Sequence, residues 1–156
     1  MNYQLTDNPD CIIRIDDGAF IPVDPSNTGY QEYLAWVAAG NTPLPVPAVT
    51  VDDIVQEFLP QLQAWLDSVA QQNNYDSALS CISYLNSSVQ QWAQDAAAMR
   101  TYRDTLWTWA YAQQATLNAM TAEQLAALTV EQIIAQAPQP SDSGWVKHPS
   151  PAPPSS

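Results

Sequence analysis

The sequence predicts a mainly α protein: a small N-terminal β-hairpin plus helix, a Pro-rich linker, a helical hairpin or bundle with one long helix, and an extended C-terminal tail. Three observations carry this. Residues 75–120 contain neither Gly nor Pro. Residues 11–23, CIIRIDDGAFIPV, alternate around an Asp-Asp-Gly turn signal. Prolines at 43, 45 and 47 separate these two regions, and Pro and Ser dominate after residue 137. The expected domains are therefore a head over 1–42, a linker over 43–49, a helical body over 50–137 and a tail over 138–156.

In the head, Cys11, Ile13 and Ile15 alternate with Ile12 and Arg14, and Asp16-Asp17-Gly18 supplies residues that tolerate positive φ. Ala19 to Val23 then returns. Pro22 has no amide donor, so the second strand must be an edge or must end there. A lone hairpin is marginal in water and needs a surface to lean on. The next segment, DPSNTGYQEYLAWVAAGN, supplies one. Tyr30, Tyr33, Leu34, Val37 and Ala38 are expected on one helical face, with Ser26 or Asn27 as cap and Gly40-Asn41 as stop. The alternating prolines that follow predict an extended connector.

Thr50 opens the body with Asp53 three positions on, a helix-start signature, and the acids of the first turn suit the helix dipole. The apolar face expected there is Val51, Ile54, Val55, Phe58, Leu62, Trp65, Leu66 and Val69. Pro60 predicts a kink or an early end near Leu59. Asp76 or Ser77 caps a shorter helix to about Leu85, with Leu79, Ile82 and Leu85 inward beside Cys81 or Tyr84. A long helix starts near Val89. Its seam runs Val89, Trp92, Ala96, Met99, Arg103, Leu106, Ala110, Gln113, Leu117 and Met120 at steps of three and four. Alanines on that seam admit a neighbouring backbone while Trp92, Trp107, Trp109 and Tyr111 are bulky, so facing helices can interdigitate. This face is read as a surface shared between chains, with Trp92, Met99, Arg103, Leu106, Trp107, Trp109 and Leu117 as partner contacts. Arg103 is expected to be salt-bridged, its stem lying on Trp107. Gln113 either fixes register or sits at a solvated edge.

Thr121-Ala-Glu-Gln124 and Thr129-Val-Glu-Gln132 both fit the capping box, predicting short helices over 122–128 and 130–136. The tail is too poor in apolar residues to fold alone. Trp145 either anchors it onto a partner or belongs to a disordered segment. His148, the sole histidine, lies there, where a catalytic base would lack rigid support.

Sixteen acidic against four basic residues give a net charge of −12. That balance repels phosphate and anionic lipid, so neither nucleic acid nor a membrane is expected as partner. No apolar run approaches spanning length, and the amino terminus has no secretory pattern. Charged residues make up only 13% of the chain, below the ~25% of average domains, which leaves a surface that is easily desolvated by a neighbour. Cys11 and Cys81 are too few for a disulfide framework and lack metal-ligand spacing. Cys11, near the terminus, is the candidate for an interchain disulfide; both are otherwise reduced packing residues. Four glycines and one histidine leave no phosphate loop and no Ser-His-Asp or Cys-His set. The expectation is a non-enzyme without metal or cofactor.

Two blocks resemble a known group. DDGAFIPVDPSNTGYQEYLAWVAAGNTPLP, residues 16–45, resembles a short module recurrent in tail-fibre and tail-associated proteins of tailed bacteriophages. There a strand pair ending Ile-Pro leads to a Tyr-Gln-Glu-Tyr helix and a Gly-Asn-Thr-Pro exit. YDSALSCISYLNS, followed by AAAMRTYRDTLWTWAYA at 96–112, is similar to the companion segment of such proteins, although it is richer in Ala and Gln. The resemblance implies a small structural protein of the tail, a fibre or baseplate-attachment subunit. Its partners would be other tail or fibre proteins, with self-association through the long helix, and its location host cytoplasm during assembly and then the virion tail. The alternative is a tail-fibre assembly chaperone absent from the mature particle. The group's longer fibres carry receptor-binding tips and β-helical repeats that this chain lacks.

Overall fold

A computed structural model describes residues 1–148. It is mainly helical, with 55% helix and 8% strand, and its contacts divide the chain into two compact units, Met1–Ala48 and Val49–Ser156.

The first unit contains β1 (Tyr3–Leu5), β2 (Cys11–Arg14), β3 (Ala19–Pro22) and α1 (Thr28–Ala38). The expected hairpin is β2–β3, in the register Ile12↔Ile21 and Ile13↔Phe20, turning through Gly18 at φ +69°. β1 adds a third antiparallel strand that alternation over three residues had not revealed. Pro22 closes β3, which is an edge strand, as its missing donor requires. The proline-rich stretch is not wholly a connector. Leu44 pairs with β1, donating to the Tyr3 carbonyl and accepting from the Leu5 amide, both at 2.9 Å.

Asn27 caps α1, its side-chain oxygen accepting from the Tyr30 amide at 3.1 Å. The face that α1 lays on the sheet is rolled from the expected one. Tyr30, Tyr33 and Trp36 cover Tyr3, Ile12 and Ile21, while Leu34, Val37 and Ala38 are exposed. Ring area decides this: Tyr3 meets Tyr33 edge-on at 5.2 Å and Trp36 at 5.1 Å, contacts that no aliphatic stripe would match. Gly29 permits the close approach, since a Cβ there would lie 3.3 Å from the Ile21 side chain. Arg14, on the same sheet face, reaches Glu32 of α1 at 3.1 Å.

The second unit contains α2 (Val51–Gln71), α3 (Ala78–Ile82), α4 (Gln90–Asn118), α5 (Ala122–Ala127), α6 (Val130–Ile134) and a 3-10 turn over Pro140–Ser143. Thr50 and Asp53 close the capping box on α2. Ile54, Phe58, Leu62, Leu66 and Val69 are buried, with Val51, Val55 and Trp65 packed beside them, as the sequence pattern requires. Pro60 neither ends nor splits the helix. Pro60 and Gln56, whose carbonyl loses its donor, are both exposed, so the vacant acceptor is left on the solvent side of the helix.

α3 stops at Ile82, short of Leu85, and is rotated from expectation. Leu79 is 75% exposed while Ala78 and Cys81 are buried. The cause is an anchor on the preceding helix: Ser77 caps the Ser80 amide and the Asp67 carboxylate of α2 accepts from the Ala78 amide at 2.9 Å, which fixes the turn's orientation. α4 starts where expected, and Ala96, Met99, Leu106, Ala110 and Leu117 of its seam are buried. Tyr102 and Asp95 are buried with them, and Arg103 is not. Both predicted capping boxes are present at Thr121 and Thr129, opening slightly shorter helices than anticipated.

The tail reading is corrected over the described residues. Pro140–Ser143 turn, Gly144 takes φ +82°, and Trp145 is 5% exposed within the core of this unit. Residues 149–156 of the expected tail lie outside the described residues.

Because Pro60 sits on the solvent face of a continuous helix, Pro60→Ala is expected to stabilise the second unit by about 1–3 kcal/mol. Urea unfolding followed by tryptophan fluorescence checks it. In the same assay Leu62→Ala, at a fully buried site, should cost about 2–5 kcal/mol.

Candidate functional site

Two features of the second unit merit the term: an apolar groove and a buried polar cluster. The groove lies between α2 and α4, lined by Val55, Phe58, Leu59, Trp107, Ala110, Tyr111, Gln113, Gln114 and Leu117. Helical spacing explains it. Val55 and Leu59 lie one turn apart on the flank of α2's buried stripe, and Trp107, Tyr111 and Gln114 follow the same rule on α4. Phe58 forms its floor, meeting Trp109 edge-on at 6.1 Å. Tyr111 is 72% exposed, tilted against Trp107 at 6.4 Å.

The predicted partner-contact residues separate into two groups. Met99, Leu106 and Leu117 are buried against this chain's own core. In the folded chain they are not available as an outward surface; the seam that sequence spacing picked out is filled by α2 and its neighbours. Trp92, Arg103, Trp107 and Trp109 are half-buried. Trp92 stands edge-on to Tyr84 at 5.6 Å, and of these four Trp107 lines the groove. The Arg103 guanidinium is held by the Asp104 carboxylate at 2.7 Å. Gln113 donates weakly to the Trp109 carbonyl within its own helix, at 3.5 Å. Cys11 belongs to the first unit, half-buried and free on β2.

The polar cluster was missed. Asp95, 5% exposed, accepts from the Tyr75 hydroxyl at 3.1 Å, and its other oxygen lies 2.7 Å from His148 Nε2. The His148 amide donates to Asn73 Oδ1 at 2.8 Å, and Asn73 Nδ2 donates to the Val146 carbonyl at 2.9 Å. His148, expected to lack rigid support, is therefore held at both its ring and its backbone. The sequence held one faint signal, an acid at position 95 adjoining the alanine seam of a long helix.

The arrangement ties the segment Trp145–His148 to Asn73 and Asp95. Burial and the Asp95 charge push the Tyr75 phenol well above its usual range, so it serves Asp95 as a fixed donor. Cys81 is fully buried and its thiol is pushed up to about 12, first by desolvation and then by Asp95. A thiol so placed stays protonated and inert near neutrality. Among the described residues no group of His, Cys, Asp and Glu side chains has the geometry to hold a metal ion, and no helix is long and apolar enough to cross a membrane. No protein-family model, curated protein or solved structure matches this chain.

Asp95→Ala strands the buried Tyr75 hydroxyl and removes the partner of the half-buried His148 ring, and is expected to cost about 3 kcal/mol. It should also release the Trp145–His148 strap, which limited proteolysis detects as earlier cleavage in that segment. Alkaline pH tests the cluster with a definite sign. Tyr75 and Cys81 both have pKa values raised on folding, so the unfolded chain loses those protons first. Their stabilisation is complete below pH 9 and declines as pH climbs from the ordinary values toward the folded ones, by about 1.4 kcal/mol per pH unit for each group in its window. Urea unfolding between pH 8 and 11 should show the decline, and Cys81→Ala should remove the portion that starts near pH 9, the ordinary thiol value.

Proposed function

We propose that this chain is a non-enzymatic structural protein of a bacteriophage tail, a fibre or baseplate-attachment subunit that works through contacts of its helical body with other tail proteins. The observation that carries the reading is the block at residues 16–45, whose resemblance to the phage tail module falls within the first compact unit, Met1–Ala48. The companion block, ending at residue 112, falls within the second unit, so the two segments occupy the two units in chain order. The inert character of Cys81 and the clamping role of His148 are in keeping with a protein that binds rather than catalyses.

A second reading, a tail-fibre assembly chaperone shed before maturation, is favoured by one observation. α4 commits Met99, Leu106 and Leu117 to its own chain, so the body needs no second copy to close its core. A protein complete by itself is suited to transient binding. The same fact directs attention from self-association to heterologous partners, for which the half-exposed aromatics remain.

Mass spectrometry of purified particles from the phage encoding the chain separates these readings. A structural subunit is expected at a fixed ratio to known tail proteins. Absence from particles together with co-purification with unassembled fibre in lysates selects the chaperone. Absence from both removes the tail assignment.

A further inference from the structure

Two polar or charged side chains are buried among the described residues, Asn73 at 0% exposure and Asp95 at 5%. Both bond to the same short segment, Trp145–His148. Buried polar groups destabilise a fold unless they are paired, and a tryptophan alone would have anchored the segment. The body instead directs its buried polar groups at these residues.

The seat is held by bonds that do not involve the segment it receives. The Asn73 and Tyr75 amides both donate to the Ala70 carbonyl, at 3.0 and 3.3 Å, just after α2. Tyr75, itself buried, donates its hydroxyl to Asp95 of α4 at 3.1 Å. Into this frame the segment enters by three kinds of contact. The Asn73 side chain accepts from the His148 amide at 2.8 Å and donates to the Val146 carbonyl at 2.9 Å, grasping main-chain groups as an added strand does. The Trp145 indole is buried in the core, its nitrogen 3.4 Å from Gln72 Oε1. The His148 ring meets Asp95 Oδ1 at 2.7 Å. Val146 and Lys147 between them are exposed, so the seat reads the first and fourth positions and leaves the middle two open.

We propose that the seat of Gln72, Asn73, Tyr75 and Asp95 is a peptide-recognition site for a non-helical segment of the pattern Trp-x-x-His, which this chain keeps closed with its own residues 145–148. A partner protein engages it by presenting an indole and an imidazole at that spacing. The Asn73 amide supplies hold on any main chain, and the two side-chain positions supply selection. This goes beyond the tail reading and does not depend on it.

Trp145→Ala combined with His148→Ala in the full chain vacates both side-chain positions. The probe is acetyl-Ser-Gly-Trp-Val-Lys-His-amide, the sequence of residues 143–148. The readout is the urea midpoint by far-UV circular dichroism, since a ligand of the native state raises that midpoint with concentration. The probe at about 1 mM should raise it for the double variant. Three altered peptides carry alanine for the tryptophan, alanine for the histidine, or a methyl group on the histidine amide nitrogen. Each should bind at least about tenfold more weakly. The wild-type chain should also bind the probe at least about tenfold more weakly than the double variant, because its own segment competes at high effective concentration. If the double variant has no folded state, His148→Ala alone becomes the host, with the same ranking of peptides.

A midpoint that the probe leaves unmoved in both hosts overturns the proposal and makes residues 145–148 a fixed part of the core. Altered peptides that act as strongly as the probe overturn it too, since nothing then reads the pattern. Equal binding to the wild-type chain places the probe elsewhere, with the same consequence.

Discussion

The second unit depends on one hydroxyl. Tyr102 is fully buried in the middle of α4, where a phenol without partners would carry a desolvation penalty of about 1–3 kcal/mol. It has two. It accepts from Trp65 Nε1 of α2 at 2.8 Å and donates to the Pro138 carbonyl at 3.1 Å. One oxygen therefore fixes the rotation of α4 against α2 and the point at which the chain after α6 returns to the pair. Burial raises the phenol's pKa while the Trp65 hydrogen bond opposes the shift, which leaves it protonated and able to donate. Arg103, its sequence neighbour, is turned toward the rim as a consequence, where Asp104 can satisfy it.

The cluster around Asp95 repeats the principle at the other end of α4. Trp145 brings a large apolar side chain into the core, and its indole nitrogen lies 3.4 Å from Gln72 Oε1. Asn73 and Asp95 then hold the backbone and ring of His148. Ordering such a strap costs conformational entropy of about 1–2 kcal/mol per residue for the backbone alone. Tryptophan burial, about 150–250 Å² of surface, offsets part of this, and directional bonds to groups already buried determine where the strap lies. A segment with little apolar content can thus be ordered by a body it could not replace.

Several elements were legible because their signals are local. The capping boxes at Thr50, Thr121 and Thr129, the α4 start at Val89 and the buried stripe of α2 each rest on residues within a few turns of one another. What escaped depended on distant partners. β1 has meaning only through β2 and Leu44; the roll of α1 depends on Tyr3, and the orientation of α3 on Asp67. His148 acquires its role from an acid 53 positions away. Pro60 misled for another reason: its cost depends on whether the freed carbonyl of Gln56 reaches water, which helical spacing alone does not tell. The groove was half legible. The aromatic excess on α4 pointed to a surface, but the 3.5-residue seam ran through Met99, Leu106 and Leu117, whereas the open flank lies about one residue's rotation away, at Trp107, Tyr111 and Gln114.

That rotation gives α4 two separate jobs on one cylinder. The stripe through Met99, Tyr102, Leu106 and Ala110 is private, packed and hydrogen-bonded within the chain. The adjoining flank, with Trp107 and Tyr111, is apolar without being closed. If the private stripe were the partner surface, the isolated chain would expose its largest apolar area and bind its own kind before any other. Because that stripe is satisfied internally, what α4 leaves toward solvent beside it is an apolar patch at Trp107 and Tyr111.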